Sequence, residues 1–168
     1  MSNEKLDQAK HALYQLEKLR APTQAEKFTD MQTAFLSAAT AAMEKLPGYK
    51  AKVAALPPAD RDFFLAMRQM RNADAHDGGA PIAVDYVDVP LGAASREELG
   101  GRYEVSGSFL GGPAPTFSRR LHHFKFPDGS KVEVVGACRR YLEIVTHIVT
   151  APIAAATGAS PAANSGSP

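Results

Sequence analysis

The chain is expected to be mostly α: an antiparallel helical bundle with a small antiparallel β insertion before its last helix. Three observations carry that expectation. Apolar residues recur at helical spacing from Leu6 to Met70. Alternating segments and a Pro127-Asp128-Gly129-Ser130 turn signal then replace that period. Helical spacing returns near residue 136 and lasts until about 150. A period of 3.6 and a period of 2 mark a helix stripe and a sheet face respectively.

In the first helix Leu6, Ala9, Leu13, Leu16 and Arg20 follow one face, with Leu19 on its flank and Pro22 as the break. Thr23-Gln24-Ala25-Glu26 has the spacing of a capping box for the second helix. Phe28, Met31, Phe35, Ala38, Ala42 and Leu46 form its apolar stripe, and Pro47-Gly48 ends it. Ala38, Ala39, Ala41 and Ala42 allow a second helix to approach closely. A short helix is expected from Tyr49 to Leu56. A further one starts after Pro57-Pro58, with Asp60 suiting the positive end of its dipole. Phe63, Phe64, Met67 and Met70 point to the core, and Gly78-Gly79 stops the helix.

Strand character follows at 82–89, at 102–109 and at His122-His123-Phe124-Lys125-Phe126. The Pro127–Ser130 turn leads into a return strand, Lys131 to Val135, so that Phe124 and Phe126 can face Val132 and Val134. Residues 110–115, rich in Gly and Pro, read as a loop. The last helix is expected from Gly136 to Thr150, with Tyr141, Ile144, Val145 and Ile148 buried. One domain over 1–150, with the β insertion at about 80–135, and a disordered tail over 151–168 complete the organisation.

The formal charge of +1 supplies no global field for nucleic acid, so any RNA contact must come from a local patch. No apolar run is long enough to cross a membrane. The polar N-terminus lacks the basic start and apolar core of a signal peptide, so a cytoplasmic protein is expected. Cys138 is the one cysteine; it reads as a buried, inert thiol and excludes a multi-cysteine zinc site. No metal motif and no cofactor motif is present.

The stretch Arg71-Asn72-Ala73-Asp74-Ala75-His76 carries the chemistry. Arginine is a permanent fork-shaped cation suited to phosphate, and histidine moves protons near neutral pH. Asn72 and His76 are about 40° apart around the helix, whereas Arg71 and His76 are about 140° apart. Asn72 is therefore the side-by-side neighbour of His76. Arg71 reaches it only around a helix end, or is completed by a second subunit. The blander reading is a helix-end histidine satisfying the last carbonyls, with Arg71 paired to Glu44, Asp74 or Asp77.

An arginine, a polar residue and a histidine four to six positions after the arginine, at the end of a helix in a bundle, resemble the signature of the HEPN superfamily. Arg71, Asn72 and His76 fit it. The resemblance covers roughly residues 3–79 and 136–150, while 80–135 departs from a plain helical bundle. It implies either a metal-independent endoribonuclease acting as a homodimer, or a non-catalytic nucleotide-, RNA- or protein-binding module. In the enzyme, His76 would assist attack of the RNA 2′-hydroxyl, Arg71 would stabilise the phosphorane, and Asn72 would hold the histidine or a phosphate oxygen. It also implies a setting in toxin–antitoxin or defence systems, with an antitoxin or other protein partner. The dimer contact is expected at the alanine stripe of the second helix or at the face bearing Arg71. Arg68, Arg119, Arg120, His122 and His123 are candidate RNA contacts, Arg119 to His123 being the densest basic cluster. Because neighbours in a strand point to opposite faces, His122 and His123 are poorly placed to chelate one metal. Arg139-Arg140 reads as a solvated helix face.

Overall fold

A computed structural model describes residues 3–19, 24–76, 80–93, 105–106 and 111–152. Within them the order is α1 (Glu4–Lys18), α2 (Ala25–Glu44), α3 (Tyr49–Ala54), α4 (Pro58–His76), β1 (Ile82–Pro90), a 3-10 turn at Leu91–Ala93, β2 (Val105–Ser106), β3 (Thr116–Lys125), β4 (Lys131–Glu133) and α5 (Val134–Thr150). The protein is thus mostly helical, with a small antiparallel sheet before its last helix.

Asn3 caps α1: its side chain accepts from the Leu6 N–H and donates to the Ala42 carbonyl at 3.0 Å. That second bond joins the start of α1 to the end of α2, so the two helices run antiparallel. Leu6, Ala9, Ala12, Leu13 and Leu16 face α2 and the core. Ala38, Ala39 and Ala42 are buried inside this one chain and Ala41 is half-buried, so most of the alanine stripe of α2 packs within the fold. Gln24 holds the N-cap position of α2 without a side-chain capping bond to the helix; the expected cap, Thr23, lies outside the described residues.

α2 ends at Glu44. Gly48, in the left-handed region at φ 69°, starts α3; a side chain there would be strained. Lys52 of α3 donates to the carbonyls of Ile148 (3.1 Å) and Ala151 (2.5 Å), satisfying groups that the end of α5 leaves open. Phe64, Met67 and Met70 of α4 are buried, and Phe63 is partly so. Three rings mark where α2, α4 and α5 meet: Tyr141 lies 6.3 Å from Phe35 and 5.5 Å from Phe64.

The sheet is three strands wide. β3 is central, with β1 along one edge from Ile82↔Phe124 to Pro90↔Thr116. On the other edge, β2 pairs with one end of β3 and β4 with the other. β3 is longer than its alternation suggests, beginning at Thr116 rather than His122. The expected 102–109 strand is described only at Val105–Ser106, and the tail from residue 153 and Gly78-Gly79 lie outside the described residues. The hairpin after β3 forms as its sequence predicts. Gly129 takes φ 84°, and Asp128 Oδ1 accepts from the Ser130 N–H (2.8 Å) and hydroxyl (2.6 Å). Those bonds hold the Asp128 carboxyl below its usual range.

The return strand is shorter than expected, and Val134-Val135 belong to α5. The cause is Glu133. Its carboxylate accepts from the N–H groups of Val135 (3.1 Å) and Gly136 (2.6 Å), which caps a helix that starts immediately. Val134 and Val135 then point into the core rather than across the hairpin. The Phe124↔Val132 pair forms as expected.

Candidate functional site

α4 brings Arg71, Asn72 and the backbone of His76 to one helix end. Phe64, Met67 and Arg71 recur at i, i+3 and i+7, so Arg71 continues the buried stripe of the helix rather than its wet face. It is accordingly half-buried, and its Nε is fully covered with no hydrogen-bond partner. Asn72, one position on, is exposed. Arg71 Nη1 donates to Asn72 Oδ1 at 3.4 Å, a long bond. Asn72 is therefore engaged with Arg71, whereas the helical angle alone pairs it with His76. The side chain of His76 lies outside the described residues.

The ion pairs on which the blander reading relies do not form within the described part. Asp74 Oδ1 instead accepts from the Ala80 N–H at 3.4 Å. Among the described residues no carboxylate reaches Arg71 or Arg68. Asp77 is outside them.

Arg68 sits one turn before Arg71 on the same helix face. Its Nη1 donates to the Tyr49 hydroxyl at 2.8 Å, and its guanidinium carbon lies 5.8 Å from the Tyr49 ring centre. The Tyr49 ring is 6.4 Å from Phe64. Beneath them is Tyr141, whose phenol is pushed up to about 12, mainly by burial, so it stays protonated. Thr40, Arg68 and Arg71 act in the opposite sense on it. Thr40 acts on the Tyr141 hydroxyl as its hydrogen-bonding neighbour, and both oxygens are buried.

The Arg119–His123 cluster divides between the faces of β3. His122 turns inward, 4% exposed, with its ring 4.0 Å from that of Phe28. Burial, then Arg120 and His123, lower it to about 4, so it is neutral and withdrawn from any surface ligand. His123 Nδ1 lies 3.0 Å from Asp85 Oδ2, close enough for an ion pair though not aligned as a hydrogen bond. Arg119 and Arg120 lie opposite Val87 and Tyr86 of β1, and each already has a partner within the molecule. Only Arg68 of the candidate RNA contacts stands beside the Arg71 element.

Arg139 and Arg140 are more than a solvated face. Arg139 pairs with Glu17 of α1 at 2.6 Å, and Arg140 with Asp60 of α4 at 3.0 Å and over the Phe63 ring at 4.3 Å. Cys138 is fully buried and its thiol is pushed well up by burial, as an inert core thiol should be. Tyr49, Thr40 and Tyr141 escaped the site reading of the sequence. The available signal was a polar residue, Thr40, interrupting an alanine run on a buried face. Among the described residues no group of three His, Cys, Asp or Glu side chains could hold a metal, and no helix is long and apolar enough to cross a membrane.

Comparison with protein-family models, curated proteins and solved structures finds no match to this chain. The functional reading therefore rests on the residues and geometry of the α4 end.

Proposed function

We propose that the chain is an HEPN-like, metal-independent endoribonuclease that acts as a homodimer, with Arg71, Asn72 and His76 as its site. The observation that carries this reading is Arg71. It is half-buried at a helix end and has no carboxylate partner among the described residues, so its charge is uncommitted. A guanidinium so placed favours an oxyanion, because a cation taken partly out of water without a counter-ion costs free energy that an anion returns.

The mechanism follows from the chemistry of the three side chains. His76 takes the proton of an RNA 2′-hydroxyl as it attacks the adjacent phosphorus, and its counterpart from the second subunit protonates the leaving 5′-oxygen. Arg71 stabilises charge growing on the non-bridging oxygens. Asn72 fixes the Arg71 fork through the bond they already share. Position at the C-terminal end of α4 favours a charged imidazole, which suits the acid role. The need for a 2′-hydroxyl makes the substrate RNA rather than DNA.

The test is cleavage of single-stranded RNA by the parent and by His76→Ala. Loss of turnover by about 10²-fold or more, with an unchanged thermal transition, is the expected result. Equal turnover by the two proteins removes the catalytic assignment. Light scattering checks the assembly: a monomer at high micromolar concentration argues against a site built from two subunits. RNA retention without turnover by either protein identifies the second reading, a binding module; the near-neutral charge of +1 favours it, since there is no broad field to gather substrate.

A further inference from the structure

Arg68 and its surroundings have no part in the hydrolytic mechanism, yet they are built with care. Tyr49 accepts from Arg68 at 2.8 Å, which leaves the tyrosine's own O–H proton available to donate to a third group. The Tyr49 ring leans on Phe64, and Phe64 on Tyr141, so the arginine is propped on a shelf of three rings. Arg71, three residues on, emerges from the same side of α4. No carboxylate among the described residues neutralises either guanidinium. One further polar atom in this region, Arg71 Nε, is buried and unpartnered. Native interiors rarely leave such atoms unpaired. Two adjacent like charges with no counter-charge repel each other, and an anion between them relieves that. Planar guanidinium forks match the oxygens of phosphate.

We propose that Arg68 and Arg71 form a two-arginine clamp for a phosphate group, with Arg68 aimed by the Tyr49 hydroxyl. The clamp shares Arg71 with the hydrolytic site and rests on that reading for its place beside the scissile bond. Its binding of phosphate does not depend on turnover. Arg68 is the positioning residue: it holds a phosphate oxygen while Arg71 faces the reacting centre. The phosphate comes either from RNA or from solution, and the experiment separates the two.

The full chain is titrated with inorganic phosphate, against chloride at equal ionic strength, and followed by calorimetry or by amide shifts. Saturable binding is expected. Arg68→Gln and Arg71→Gln each weaken it about tenfold, the effect of one charge-assisted hydrogen bond. Tyr49→Phe weakens it about threefold by removing the hydroxyl. Arg140→Gln leaves it unchanged. Arg68→Lys, which keeps the charge without the fork, restores part of the affinity and guards against a folding artefact, as do thermal transitions of all variants. In the RNA arm the His76→Ala variant is used, so that no cleavage occurs. Displacement of phosphate by a single-stranded RNA oligonucleotide shows the clamp holding a backbone phosphate. Phosphate binding that RNA does not displace shows a clamp for the free ion. No saturable phosphate binding, or equal affinity in Arg68→Gln and the parent, overturns the clamp. His76→Ala that loses cleavage but keeps phosphate binding leaves both ideas standing. A parent that never cleaves yet binds phosphate through Arg68 keeps the clamp alone.

Discussion

Two pairs of arginines on neighbouring helices put the same side chain to opposite uses. Arg139 and Arg140 of α5 are the more exposed, and both are committed: one fastens α5 to α1 through Glu17, the other fastens it to α4 through Asp60 and Phe63. Arg68 and Arg71 of α4 are half-buried and have no carboxylate at all within the described residues. Stability alone would favour the reverse, since a covered charge needs a counter-ion more than a solvated one does. The difference teaches that an arginine is a candidate for function by what it lacks rather than by what it touches.

The contrast can be broken at the shelf beneath the uncommitted pair. Phe64→Ala should cost about 3–5 kcal/mol of unfolding free energy, because it empties a fully buried ring site between Tyr49 and Tyr141. Urea unfolding measures it; a loss under about 1 kcal/mol means that the rings do not hold the arginines in place.

A third basic group sharpens the contrast, because it is covered by giving up its charge. Folded His122 titrates at about 4 and an unfolded histidine at 6.5, so the unfolded chain takes up the proton first. Stability contributed by this group is complete above about pH 6.5 and falls as the pH drops toward 4, by about 3 kcal/mol in all. In His122→Leu that part of the pH dependence should vanish while stability at pH 7 is kept. Parallel pH profiles for parent and variant would show that His122 does not resist protonation in the folded state.

The next effect concerns rate. Arg71→Lys keeps a positive charge but loses the fork, and should lower RNA cleavage about hundredfold with little change in melting temperature. Arg140→Lys should leave cleavage unchanged. If the two substitutions slow cleavage equally, the distinction between committed and uncommitted arginines has no functional content. The smallest effect belongs to the committed pair itself: a double-mutant cycle on Arg140 and Asp60 should give a coupling of about 0.2–1 kcal/mol, as for other partly exposed ion pairs. A coupling near zero would leave the fastening of α4 to the Arg140–Phe63 contact alone.

Much of this fold is legible in the sequence because its signals are periodic. Leu6, Leu13 and Leu16, or Phe64, Met67 and Met70, repeat at helical spacing and are buried as that spacing requires. The Asp128-Gly129 turn is legible for a different reason: only a few residue types supply its left-handed backbone and local acceptor. Only half of the strand Thr116–Lys125 is legible, since Ser118, Arg119 and Arg120 show no apolar alternation; its outer half pairs with an exposed β1, and none of its described side chains from Thr116 to Arg120 is fully buried. Val134-Val135 were misplaced because two valines suit a strand by propensity, while the capping carboxylate of Glu133 decides for a helix. For the site, the spacing of Arg71, Asn72 and His76 was visible along one helix. The neighbours that Arg68 acquires, Tyr49 from α3 and Tyr141 from α5, come from 19 residues before it and from the last helix, and no local pattern announces them.

Glu133 ends β4 and caps α5 in the same residue, so sheet and final helix meet without a connecting loop. The β3–β4 hairpin is therefore joined directly to the helix that carries Tyr141 two turns along. Extra residues spliced in at Gly129 would be absorbed by the turn, whereas the same residues spliced in after Glu133 would uncouple the two halves of the molecule.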